Sequence, residues 1–137
     1  MQDGTLPLPG HLDETTRGRG NIFDGNCPTR QLLDRVGDKW SVLILLLLGR
    51  GERRFSILKR EIGGISQKML SQTLRSLERD GLVTRDVEAT VPVTVTYAIT
   101  QLGRDLLAAL RLMMEWAETR IDVVAEAQRD YDRRAAV

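Results

Sequence analysis

The feature that most constrains this chain is a run of seven apolar residues, Val42 to Leu48. A membrane span needs about 20 such residues, so the run is too short to be one. Within "DKWSVLILLLLGRG" it reads as a helix that is apolar almost all round. Such a helix sits at the centre of a small domain, with other elements packed about it. Asp38 stands where an N-cap belongs. The remaining elements must therefore cover this one, and 137 residues suffice for one domain of ordinary size with one core.

The flanking segments supply that cover. "CPTRQLLDRVG" opens with Pro28, suited to a first helical turn. Leu32, Leu33 and Val36 follow at helical spacing, and Gly37 stops the run. After the central helix, "RRF" at 53–55 reads as a short edge strand. "SILKREIGG" offers Ser56 as a cap, Ile57, Leu58 and Ile62 as a buried face, and Gly63-Gly64 as a turn. "ISQKMLSQTLRSLERDGLV", residues 65–83, reads as a helix with Leu70, Leu74 and Leu77 as its buried stripe. Ile65 closes the turn before it, and Gly81 ends it. "VTRDVEA" and "TVTYAIT" are two β-rich runs separated by a turn near 89–93, which predicts a hairpin. Pro92 confines its surroundings to a turn or sheet edge.

Residues 101–137 carry a long helical pattern with Thr100 as its cap, Gly103 as its only glycine and no proline. Leu106, Leu110, Met113, Ala117, Ile121 and Val124 recur close to heptad register. That seam is expected to meet a partner helix from a second copy of the chain, since symmetric dimers are the commonest oligomers. The expected fold class is mainly α with a small β-hairpin wing: a winged helix-turn-helix with a long C-terminal dimerisation helix. The expected divisions are a flexible, glycine- and proline-rich arm over 1–22, the winged helix-turn-helix over 23–100, and the dimerisation helix region over 101–137.

In that arrangement the helix after the Gly-Gly turn is the recognition helix. Ser66, Gln67, Lys68, Ser71, Gln72 and Arg75 lie mainly away from its apolar stripe, and no carboxylate occurs between Ser66 and Leu77. Gln pairs bidentately with adenine, Arg or Lys with guanine, and Ser with bases or phosphate. A helix N-terminus also favours phosphate. The net charge of the chain is only +1, but residues 50–85 carry nine Lys and Arg against four Asp and Glu, a local +5. Arg53, Arg54, Lys59, Arg60 and Arg85 are therefore candidates for the DNA backbone, where contacts set affinity and register.

Taken together, Cys27-Pro28, Gly-Asp-Lys-Trp at 37–40, Arg-Phe-Ser at 54–56, Ile-Ser-Gln-Lys-Met-Leu at 65–70, Leu-Glu-Arg-Asp-Gly-Leu at 77–82 and the stretch Tyr97 to Gly103 resemble the HxlR-type winged helix-turn-helix transcriptional regulators. These are distant relatives of the MarR group. The likeness spans residues 27 to 117. It implies a homodimeric bacterial regulator on a roughly palindromic operator of double-stranded DNA, with recognition helices in successive major grooves and wings at the minor grooves. One departure concerns the wing. The family usually has a basic residue between its Pro and Val, whereas this chain has Val93 and Thr94, and Val87 to Val95 holds no cation. Arg85 lies at the base of the wing. Weak minor-groove insertion is expected, with Arg17 and Arg19 of the arm as substitutes.

Cys27 precedes Pro28 and so falls at an N-cap, where the positive end of the helix dipole favours a reactive thiolate. The resemblance implies a redox-sensing role for a cysteine at this place, answering to quinones, aldehydes or oxidants by adduct or intersubunit disulfide. Modification would shift the first helix against the dimer helices and so change operator affinity. The alternatives are a regulator answering to a small-molecule inducer without redox chemistry, and a winged helix that binds protein. The face of Gln67, Lys68, Gln72 and Arg75 disfavours the second. Trp40 reads as core. Trp116 and Met113-Met114 read as packing residues.

No catalytic residues, metal site or cofactor are expected. The only histidine, His11, lies in the arm, the only thiol is Cys27, and neither G-x-G-x-x-G nor G-x-x-x-x-G-K occurs. The N-terminus lacks a secretory pattern. A cytoplasmic, non-enzymatic protein with no membrane partner is expected.

Overall fold

The computed structural model describes residues 21–136. The arm expected over 1–22, with His11, Arg17 and Arg19, lies outside them but for its last two residues. The elements are α1 (Pro28–Gly37), α2 (Lys39–Leu48), β1 (Arg53–Arg54), α3 (Phe55–Glu61), α4 (Gln67–Arg79), β2 (Val83–Glu88), β3 (Thr94–Ile99) and α5 (Gln101–Ala135). The molecule is mostly helical, with one small antiparallel sheet, the architecture of a winged helix-turn-helix.

The helix ends follow from capping chemistry. Asp38 accepts from the Trp40 amide (3.2 Å) and the Ser41 hydroxyl (3.0 Å), opening α2. Ser66 accepts from the Met69 amide (3.0 Å), opening α4. Thr100 accepts from the Gly103 amide (3.0 Å), opening α5. These bonds satisfy donors that a helix N-terminus leaves unpaired. Gly64 (φ +83°) turns the chain between α3 and α4, and Gly81 (φ +79°) ends α4. At Gly81 the Leu82 amide reaches back to the Leu77 carbonyl (2.9 Å) and the Gly81 amide to the Glu78 carbonyl (3.0 Å), a Schellman closure.

The hairpin pairs β2 with β3 from Val83↔Ile99 to Glu88↔Thr94, and β1 adds to the far edge of β3 through Arg53↔Tyr97 and Arg54↔Thr96. The sheet order is thus β1-β3-β2. The core gathers Ile44, Leu45 and Leu48 of α2, Leu58 of α3, Leu70, Leu74 and Leu77 of α4, Tyr97 of β3, and Leu107 and Leu110 of α5. Each fully buried Leu or Ile contributes about 1.5–3 kcal/mol of apolar transfer. Two close approaches fix the geometry: a Cβ on Gly49 would meet Leu107 Cδ2 at 2.4 Å, and one on Gly103 would meet the Leu82 carbonyl oxygen at 2.3 Å.

Several local expectations are corrected. Ser56 does not cap α3: Arg54 is the N-cap residue, making no side-chain cap bond, and Ser56 lies inside the helix. The strand expected over 53–55 stops at Arg54, its last pair being Arg54↔Thr96, and Phe55 opens the helix instead, so the helix starts earlier than the sequence suggests. The helix expected over 65–83 is shorter at both ends, because Ser66 is its cap and Val83 opens β2. Leu32 and Leu33 do not reach the core, and no residue of α1 is buried. Nor is α2 covered all round, for Leu43 is exposed. Leu110, expected on the dimer seam, is 1% exposed within the chain's own core, and Leu106 packs against that core. The seam residues beyond them differ: Met113 is 52% and Ile121 58% exposed, and Ala117 and Val124 are also exposed.

Candidate nucleic-acid interface

Burial of Leu70, Leu74 and Leu77 on one side of α4 dictates what its other side presents. Lys68, Gln72 and Arg75 are exposed there, Gln67 is exposed at the first turn, and Ser71 is half-buried toward the wing. Thr73 is buried and spends its hydroxyl on the Met69 carbonyl (2.8 Å), so it belongs to the packing. Ser66 remains exposed, but its hydroxyl is engaged as the cap. The helix begins with no acidic residue in its first turn. Its N-terminal amides and dipole thus face solvent without a competing carboxylate, a favourable setting for phosphate.

The wing completes a concave surface. One groove runs between the start of α3, Ser71 of α4 and the hairpin, lined among others by Arg54, Ser56, Arg85 and Pro92 to Val95. It adjoins a depression lined by Ser71, Arg75, Glu78, Arg85 and Tyr97. Arg54 at the β1–α3 junction lines the groove, Arg75 of α4 lines the depression, and Arg85 of β2 lines both. Lys59 and Arg60 are exposed on the last turn of α3. The Arg53 guanidinium donates to the Glu61 carboxylate (3.1 Å) and to the Gly51 carbonyl (2.8 Å), so it also braces its own turn. On the wing, Asp86 and Glu88 of β2 are exposed, and Val91 and Val93 project from its tip.

Cys27 is the N-cap residue of α1, followed by Pro28, and is 3% exposed. One interaction escaped sequence reasoning. Arg35 Nε donates to Asp80 Oδ2 at 2.6 Å, joining α1 to the end of α4 across 45 residues of chain. No local pattern could have announced it.

Comparison with known proteins agrees with this geometry. The HxlR-like helix-turn-helix family model matches residues 35–125. The chain is 41% identical over 117 residues to YtfH of Escherichia coli K12, described as an uncharacterised HTH-type transcriptional regulator, covering 85% of this chain and 90% of that one. A solved structure described as a candidate transcriptional regulator, ytfH of Salmonella typhimurium, superposes with a TM-score of 0.73 at 41% identity, covering 81% of this chain and 98% of that one. The redox regulator HypR in its reduced form gives 0.67 at 37% identity, covering 72% and 98%. A capped helix with no acidic residue in its first turn, set beside a small wing, with the family model matched across both, places this chain in the HxlR-like helix-turn-helix family of transcriptional regulators.

Proposed function

We propose that this chain is a sequence-specific DNA-binding regulator, acting in the cytoplasm as a homodimer on a roughly palindromic operator. The observation that carries the reading is the exposed face of α4. Lys68, Gln72 and Arg75 stand opposite its buried stripe and Gln67 is exposed at its first turn, with Arg54 and Arg85 beside them and no carboxylate in that turn. On this reading residues 23–100 meet DNA and residues 101–137 hold the dimer. Met113, Ala117, Ile121 and Val124 form the seam, since a contiguous exposed apolar face of this extent marks an interaction surface. The wing arch from Val87 to Val95, which holds no cation, contributes little to the minor groove. Fluorescence anisotropy on duplex from upstream of the chain's own gene, with a scrambled duplex as control and salt held fixed, tests the reading. Tight binding to the first alone is expected. Equal weak binding to both would favour a protein-binding winged helix instead.

A second reading concerns regulation. Cys27 caps a helix with no buried residue, and the chain is similar to a protein described as a redox regulator. Addition of the thiol to a quinone forms an S–C bond, and its proton ends on a ring oxygen. The added bulk has no room at a site 3% exposed, so α1 must move. Cys27→Ser is expected to keep DNA binding and to lose release by quinone. A Ser variant that still releases DNA in full would overturn this reading.

A further inference from the structure

Asp80 stands in an unfavourable place. It is the C-cap residue of α4, where the negative end of the helix dipole disfavours a carboxylate. Its side chain is 14% exposed, so much of its hydration is lost. The group that answers both costs is Arg35, from the last turn of α1, at 2.6 Å. Arg79 stands 4.0 Å from the other oxygen with its own side chain well solvated, and so adds little.

The same corner receives α5 as well. The Thr100 hydroxyl donates to the Gly81 carbonyl (2.7 Å), and the Thr100 amide to the Leu82 carbonyl (3.0 Å). The end of α4 is thus tied to the start of the long helix by one hydroxyl–carbonyl and one backbone hydrogen bond. Its tie to α1 is a directional, breakable ion pair. Because α1 buries no residue of its own, that pair gives α1 a hold on α4 that its packing alone does not supply.

We propose that Arg35 and Asp80 are positioning residues for α4. Their ion pair pins the C-terminal end of the helix to α1, so that a displacement of α1 re-aims the face that α4 presents to DNA. This rests on the reading of α4 as the recognition helix.

The test compares the full-length chain with Arg35→Gln, Asp80→Asn and the double variant. Amide hydrogen exchange is read separately over α4 and over α2. Each single variant is expected to speed exchange in the C-terminal half of α4 by about tenfold, the order for a partly exposed charged hydrogen bond. The double variant is expected to add no more, because the two groups act as a unit, and α2 stays protected. The ratio of affinities for upstream and scrambled duplex is expected to fall severalfold at an unchanged salt slope, since neither group meets phosphate. Additive single effects, unchanged exchange in α4, or equal loosening of α2 would overturn the proposal. Faster exchange with an undiminished affinity ratio would overturn it too, by reducing the pair to a brace. If the wild-type chain prefers neither duplex, the DNA reading falls, and the exchange data alone decide whether the pair holds α4.

Discussion

Replacing Gly103 by Ala sets two known effects against each other. On an exposed helix the change stabilises by about 1 kcal/mol through helix propensity. Here the new Cβ would lie 2.3 Å from the Leu82 carbonyl oxygen and 2.7 Å from Ile99 Cγ1. The carbonyl cannot simply retreat, because it accepts from the Thr100 amide, and the Leu82 amide closes the end of α4. Relief requires α5 to move by on the order of 1 Å, a local overpacking worth about 1–3 kcal/mol. Strain on one hydrogen bond adds about 0.5–1.5 kcal/mol. The expected net is a destabilisation of about 2 kcal/mol, measured by urea unfolding at one fixed protein concentration, since association enters the apparent stability. Gly37→Ala is the control: nothing lies within 4 Å of its new Cβ at the end of α1, and it should be neutral or stabilise by up to about 1 kcal/mol. A Gly103→Ala chain as stable as the wild type would refute the argument from close approach.

The other predictions bear on the proposed interface and seam. Arg75→Ala should cost about 1–3 kcal/mol of affinity for the preferred duplex and narrow its margin over a scrambled one. Arg85→Ala should weaken both duplexes alike and lower the salt slope by about one, because a backbone contact carries no sequence information; an unchanged slope would remove Arg85 from the footprint. Combining Asp86→Asn with Glu88→Gln should strengthen binding to any duplex, more so at low salt, and an unaltered affinity would mean that the wing stands clear of DNA. Met113→Glu with Ile121→Glu should separate the two copies in light scattering while circular dichroism stays helical, because neither side chain is in the chain's own core; a surviving dimer would place the seam elsewhere.

What could be read from the sequence was local. Asp38 and Thr100 announce their helices because a cap acts within three residues, and Gly81 announces the end of α4 because only its own φ matters. Ser66 offers the same signal for α4, but the helical pattern over 65–83 places it inside the helix. The hairpin was legible from β-rich runs about a turn. The sequence was silent or misleading where distant chain decides. Whether Arg53 faces solvent depends on Glu61, brought back by α3. The start of α3 depends on Arg54 pairing with Thr96, which no nearby residue signals. The apolar stripe of α5 is nearly continuous in sequence, yet Leu107 and Leu110 serve the chain's own core and Met113 and Ile121 do not. The reason is length: at about 1.5 Å per residue, α5 outruns the small domain beneath it, and the same pattern passes from covered to uncovered.

The candidate interface divides in the same way. Its proposed chemistry sits on one helix, where the 3.6-residue period places Lys68, Gln72 and Arg75 opposite a leucine stripe and Gln67 is exposed at the first turn, so the exposed polar face was largely readable from the stripe. Its aim is set at the far end of that helix, where Arg35, Thr100 and Gly103 arrive from two other elements to meet Asp80, Gly81 and Leu82. On the proposed reading, substitutions on the face change which duplex is preferred, and substitutions at the corner change how sharply any duplex is preferred. A selection of duplexes by Gln72 variants and by Asp80→Asn separates the two: the first should shift the selected sequence, the second should broaden it about the same centre.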